Sequence, residues 1–413
     1  MKYLIHIFIL SSLLYSQKIF DSFEQERISR YRYMEQYTFE QVLDDGSYTL
    51  IVNNFNGDMV IRGHLGSSLS ANIKTTIKVL TEQGAKEMIN LHQVIVRHDN
   101  DKKVVQIDGP EDLSGRISYN LDLQIPIMTN LTMHSLGGDV AIEHAQGEIE
   151  IKTGGGDMDL NHINGKGFFE TAGGDIEFEN GKGRFSIISK GGDISIENIE
   201  GKFSAETAGG DVELSSIIGN AVVSTRGGSI GVISFDGQYL LASTSGGDIH
   251  IRDINGNVDI STSGGDIEIQ NLTGNAIAST LGGDVGLDEI HGNVDCSTKG
   301  GAIHGKDIFG AIKAVNQAGN ISIEKKYDTQ LKDHSLDLTT YVGDIYTSIP
   351  EHFPANVTII HNGENATSSI NADFYLNEKN KQGKIIATTK IREGIYPFKI
   401  TIYHSGDIKI RED

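Results

Sequence analysis

Eight aspartates stand at one point of a repeating pattern, each directly after a Gly-Gly pair: Asp139, Asp157, Asp175, Asp193, Asp211, Asp248, Asp266 and Asp284. Carboxylates in register are the groups that could collect a divalent cation, and Ca2+ takes six to eight oxygen ligands. One Asp per repeat supplies too few. Glycine-rich Ca2+ solenoids carry GGxGxDxUx, with the Asp beyond a third glycine. Here the Asp follows the pair at once, and Ser229, Ala302 and Asn320 replace it without loss of the pattern. The row therefore reads as structural, each side chain accepting from the backbone N–H groups that follow it at the start of a strand. Weak Ca2+ binding is the lesser alternative, because stacked carboxylates repel and turn N–H groups, nearby lysines or a cation must offset that.

The other residues able to do chemistry are scattered. His64, His92, His98, His134, His144, His162, His250, His291 and His304 show neither HExxH nor HxH spacing. His144 and His162 hold the same place in successive repeats and could stack. Cys296 is the only cysteine, which excludes an intrachain disulfide and multi-cysteine structural zinc; it reads as a small buried apolar residue. Carboxylate pairs are uninformative in a chain with 56 Asp and Glu. No catalytic, cofactor-binding or metal-binding residue is assigned, and no cofactor is expected.

The elements that position these residues follow from self-similarity. Gly-Gly pairs begin at Gly137, Gly155, Gly173, Gly191, Gly209, Gly227, Gly246, Gly264, Gly282 and Gly300, with a degenerate copy at Ala318-Gly319. The interval is constant except between Gly227 and Gly246, where it is longer by one. A second glycine recurs nine residues after each pair, as at Gly183, Gly201 and Gly274, so a unit has two turns and two short segments. Ile267 and Ile269 alternate with polar Glu268, the period of a strand with one buried face. In the second segment, one slot holds Phe185, Phe203, Ala221, Val258, Ala276 and Val294, and the next holds Ile187, Ala205, Val223, Ile260, Ala278 and Cys296. A steady hydroxyl row precedes the glycines: Ser135, Thr153, Thr171, Ser189, Thr207, Thr225, Thr244, Thr262, Thr280 and Thr298, then Asn316. It follows the inward parity and reads as structural. Ice binding would need an outward hydroxyl array, and only this one regular column is evident.

Paired glycines and the two-residue alternation exclude helix. One coil cannot bury its apolar side alone, whereas stacked coils pair their parallel strands and turn slots into ladders. The expected fold class is all-β: a single-stranded β-solenoid of 18-residue coils, about 11 rungs over 131–327, and roughly 50 Å long at about 4.8 Å per coil. The extra residue near Tyr239 predicts a bulge in the second segment. A β-rich module is expected over 17–130, with strands at 48–52, 59–62, 71–80, 94–97, 103–107 and 117–125 and helical spacing at 82–92. The charged stretch 21–35 reads as a linker or short helix. Residues 328–413 read as less regular coils and a β cap. Such modules would hide the open strand edge of a solenoid.

Residues 1–16 read as a signal peptide, with Lys2 before an apolar stretch too short to anchor in a bilayer. No later segment is apolar enough to cross a membrane. The net charge of −21 disfavours nucleic acid and anionic lipid. Glycine makes up 49 of 413 residues with only 5 prolines, which fits many tight turns and not disorder or collagen.

The serial GGDI turns with NG half-turns, the opening VNNFNGDMVI at 52–61 and the ending YHSGDIKI at 403–410 resemble the bacterial adhesin-like DUF4097 β-solenoid family. The resemblance covers most of the chain after residue 16. It implies an envelope or surface location and an adhesive role, and it brings no catalytic residues. The expected function is an exported, non-catalytic scaffold that binds a protein or polymer of the cell surface. The alternatives are a polysaccharide-active β-helix enzyme, which would need two carboxylates flanking a bond, and an envelope-stress or assembly component. Glycan binding is disfavoured because Tyr239 and Tyr327 are the only tyrosines of the repeat and tryptophan is absent.

Overall fold

The computed structural model describes residues 22–29, 32–44, 46–111, 115–362, 369–381 and 384–413; the expected signal peptide lies outside them. Contacts divide the chain into two units, the second running from Thr171 to Asp413. No helix among the described residues is long and apolar enough to cross a membrane.

In the second unit, a coil is one extended run of 14 residues such as Ile194–Thr207, bent twice. Asn198 makes the first bend in the left-handed region (φ 55°), and Gly201 makes the second (φ 143°). The Gly-Gly-Asp turn closes the coil, so there are three corners, not the expected two. The extra corner recurs at Asn180, Asn198, Ser216, Ser234, Asp253, Asn271, Glu289 and Asp307, all at positive φ. Short polar side chains tolerate that conformation best, Asn and Asp above all. Because no single residue type holds the position, the corner does not stand out in sequence as the glycines do.

Ile194, Ile196, Ile199, Phe203, Ala205 and Thr207 point inward and are buried. Each lies in register with its equivalents: Ile194 pairs with Ile176 on one side and Val212 on the other. The coils are therefore parallel rungs of a β-solenoid, with every interior strand hydrogen-bonded on both sides. The longer coil carries the expected bulge. Asp236 pairs with Ile218 in the regular register, but Leu240 pairs with Ala221, one position out of it. The insertion sits at the glycine corner, where the N–H groups of Gln238 and Tyr239 both reach Oδ1 of buried Asn220 (3.2 and 3.4 Å).

Beyond the regular repeat the rungs continue across insertions. Leu336 lies on Ile312 and Phe398 on Leu336, while Ile345 lies on Ile321 and Ile408 on Ile345. The stack then turns antiparallel: Lys384–Lys390 runs against Ala355–His361, and Asn377–Lys381 against Lys384–Lys390. That last strand reads NEKNK, a charged edge that resists pairing with another sheet.

In the first unit, Arg32–Val42, Ser68–Lys78 and Ile117–Pro126 form an antiparallel series. Ile117–Pro126 pairs in parallel with Met59–His64, which with Thr129–Ser135 flanks the coil Val140–Thr153. The helix is Glu82–Leu91, capped by the Thr81 side chain accepting from Gly84 N–H. The stretch expected as linker or helix is instead two antiparallel strands, Ser22–Ser29 and Arg32–Val42. Its alternation was hidden because one inward residue is charged: Glu35 is 1% exposed.

Glu35 carries a pH signature. The Tyr37 hydroxyl donates to Oε2, and Oε1 has no partner among the described residues. Burial pushes the carboxyl up to about 7. A folded-state pKa above the unfolded value of about 4.3 stabilises the fold below pH ~4.3, and that contribution is lost as pH rises through 7. Glu35→Gln is expected to raise stability at pH 8 by about 2–3 kcal/mol and to change it little at pH 4. Urea melts at the two pH values check this; equal shifts at both would contradict it.

Candidate functional site

The aspartate row does not cap its own strands. Oδ1 of Asp193 accepts the backbone N–H of Asp211, one coil on, at 2.8 Å. The same bond links Asp175 to Asp193, Asp248 to Asp266, Asp266 to Asp284 and Asp284 to Ala302, at 2.6–2.8 Å. Ser229 stands in through its Oγ, which accepts from Asp248 N–H at 3.2 Å. The row continues outside the regular period, from Asn320 to Asp344 and from Asp344 to Asp407, and Asp139 to Asp157 repeats it in the first unit. The expected local bond is thus replaced by one between rungs. A charge-assisted hydrogen bond at each step offsets carboxylate repulsion. Among the described residues, no three His, Cys, Asp or Glu converge as metal ligands. Asp266→Ala is expected to cost about 1.5–3 kcal/mol, Asp266→Asn well under half of that, and EDTA to leave Tm unchanged. A fall in Tm on chelation would overturn the structural assignment.

The threonine row ties the same turns together. Thr262 Oγ1 donates to Gly247 O of the previous coil (2.9 Å) and accepts from Gly265 N–H (3.3 Å). The expectation of a single regular hydroxyl column is corrected by a second one that faces outward, Ser224, Ser243, Ser261, Ser279 and Ser297, which pair in register and recur in the sequence directly before the threonines of the first row. Its neighbours Val222, Leu241, Asp259, Ile277 and Asp295 are mixed in character, so no flat hydroxyl array forms. His144 and His162 lie next to each other, with ring centroids 4.7 Å apart, but the rings are tilted by 44° and do not stack face to face. Cys296 is buried, and burial followed by the nearby Asp295 charge pushes its thiol up to about 12, so it is inert as a nucleophile.

An open groove of about 600 Å³ lies on the face that follows the Gly-Gly-Asp turn. Glu268, Gly286, His304, Ser322, Tyr346 and Lys409 form one outward column, paired rung to rung. Gln270, Asp288, Lys306, Glu324, Ser348 and Arg411 form the second. Gly286 and Ser322 leave the trough between larger neighbours. An added Cβ at Gly286 would meet nothing nearer than Glu268 Cγ at 3.8 Å, so the backbone does not require glycine there. Lys306 lies 3.9 Å from Asp288 and 3.8 Å from Asp307, and Arg411 pairs with Asp373. Tyr346 keeps its ring 40% exposed, and its hydroxyl donates to Asp344 (3.3 Å); the Asp344 charge raises its pKa. This tyrosine lies outside the regular period, where only its place after Asp344-Ile345 signalled an outward slot.

The sequence profile of the Toastrack DUF4097 family matches residues 34–224 and again 203–411. Among solved structures, the chain is similar to a proposed cell adhesion protein from Clostridium sporogenes (9% identity, 92% of this chain and 100% of that one, TM-score 0.16). It is also similar to a proposed adhesin from Bacteroides fragilis (15%, 76% and 96%, 0.21) and to a proposed lipid-binding protein from Parabacteroides distasonis (12%, 76% and 96%, 0.23). No curated protein matches the chain. With the two profile matches together running from residue 34 to residue 411, the chain belongs to the Toastrack DUF4097 family.

Proposed function

We propose that the chain is an exported, non-catalytic, adhesin-like scaffold of the bacterial cell envelope that holds an extended ligand in the groove of its second unit. The groove carries the reading: it is a fixed trough on a rigid ladder, open to solvent and lined by both hydrogen-bond donors and acceptors. Its carboxylates suit binding better than catalysis. Asp288 and Glu324 side chains are 50% and 36% exposed, whereas a general acid needs a drier setting to hold its proton near neutral pH. Export is supported by the signal-like residues 1–16. The test is retention of the purified chain on envelope polymer fractions, wild type against Gly286→Tyr, which plugs the trough without entering the core. Retention by the wild type and loss in the variant is expected; equal retention would sink the groove as the binding site. Protease shaving of intact cells checks the location, with digestion expected and full protection contradicting surface exposure.

A further inference from the structure

Away from the groove, we propose that Tyr341 and Tyr403 form an oxidative cross-linking site, at which a peroxidase using hydrogen peroxide joins the two rings and staples the strand Tyr396–Ser405 to Leu336–Val342. The two strands are neighbouring parallel rungs. The ring centroids are 4.6 Å apart and the ring planes lie within 19° of parallel. Both rings face outward, 40% and 41% exposed, so an oxidant reaches them without unfolding.

The fold does not demand tyrosine at this place. Tyr341 and Tyr403 each follow an inward residue, Thr340 and Ile402, and the same outward slot holds Lys299 and Gln317 in the preceding rungs. Other exposed tyrosines lack such a partner. Tyr239 lies on Asn257, and Tyr346 lies between Ser322 and Lys409. Tyr327 and Tyr396 do meet, but edge to face, with centroids 6.1 Å apart. They are half-buried against His334 and Phe353. Among the described residues, Tyr341 with Tyr403 is thus the tyrosine pair that combines near-parallel rings with open access.

The chemistry is a balanced oxidation. Each phenol gives one electron and its proton to the peroxidase. The two phenoxyl radicals join by a carbon–carbon bond between ring positions ortho to oxygen. The hydrogens on those carbons then shift to the oxygens and restore two phenols. The peroxide takes up the two electrons and two protons and leaves as two waters. Because the rung register already holds the rings against each other, coupling within the pair outruns encounters between chains. Between the two tyrosines the chain makes the antiparallel pair of Ala355–His361 with Lys384–Lys390 before it returns. Stack ends are where local opening costs least, and a bond that closes so long a loop constrains the unfolded chain strongly.

The experiment is oxidation of the dilute full chain with a peroxidase and hydrogen peroxide, read by biphenol fluorescence and by mass spectrometry of a digest. The expected product joins the peptides of Tyr341 and Tyr403 within one chain, lighter by two hydrogens than their sum, and unfolds at a higher urea concentration than the untreated chain. Tyr341→Phe and Tyr403→Phe are each expected to lose nearly all of the fluorescence, and Tyr396→Phe to keep it. Phenylalanine preserves the ring in each case, so the variants fold alike. Fluorescence that survives Tyr341→Phe, a product that joins separate chains, or no biphenol at all overturns the site. Joined peptides with an unchanged urea midpoint overturn the staple.

Discussion

Gly265→Ala is expected to destabilise the second unit by about 3–5 kcal/mol, whereas Gly264→Ala, one residue earlier, costs about 1 kcal/mol or less. A Cβ on Gly265 would sit 2.1 Å from Gly247 O and 2.4 Å from its carbonyl carbon. Both are backbone atoms of the previous rung, and the rung spacing is fixed by the strand hydrogen bonds, so neither can retreat. A Cβ on Gly264 meets Gly246 O only at 3.3 Å, which a small shift relieves. The same asymmetry recurs at Gly283 and Gly301. It explains why degenerate turns keep only the second glycine: Ala318-Gly319, Val342-Gly343 and Ser405-Gly406. Denaturant melts of the two variants measure the contrast; similar losses would contradict close turn-on-turn packing.

Lys325→Met is expected to cost about 3 kcal/mol and to remove a pH dependence. Lys325 is 1% exposed and occupies the slot that Ile308 holds one rung earlier. Its Nζ donates to the carbonyls of Ile308, Phe309 and Gly310 at 3.0, 2.6 and 2.5 Å. Methionine fills the space but leaves three carbonyls without that donor. Burial pushes the ammonium pKa down to about 7, with Asp333 opposing. The unfolded chain, with a lysine near 10.4, binds more protons between those values, so stability rises with pH across that window. From pH 7 to 9.5 the native chain should gain about 2–3 kcal/mol relative to Lys325→Met. Parallel pH profiles for the two proteins would contradict this.

What could be read from the sequence was whatever the stacking forces into one residue type. Glycine at a turn with no room for a Cβ, isoleucine in an inward slot, threonine bonding two rungs and the bulge at Tyr239 all announce themselves by period. The left-handed corner did not, because histidine, asparagine, serine, aspartate and glutamate all serve there. The aspartates were legible as structural but not as links between rungs, since the acceptor and donor are a full coil apart in the chain. The groove was hidden for a different reason. Tyr346 pairs with Ser322 across an insertion, and Lys409 reaches Tyr346 across a much longer one, so no local pattern joins them.

Spin labels along one outward column test the stack itself. Cysteines at Glu206 and, in turn, at Ser261, Ser279 and Ser297 lie three, four and five rungs apart, and native Cys296 is buried from the label. Electron–electron distances should lengthen by about 4.8 Å with each added coil, from backbone separations of about 14 to about 24 Å. Distances that fail to grow by one strand spacing for every further coil would contradict rungs lying directly over one another.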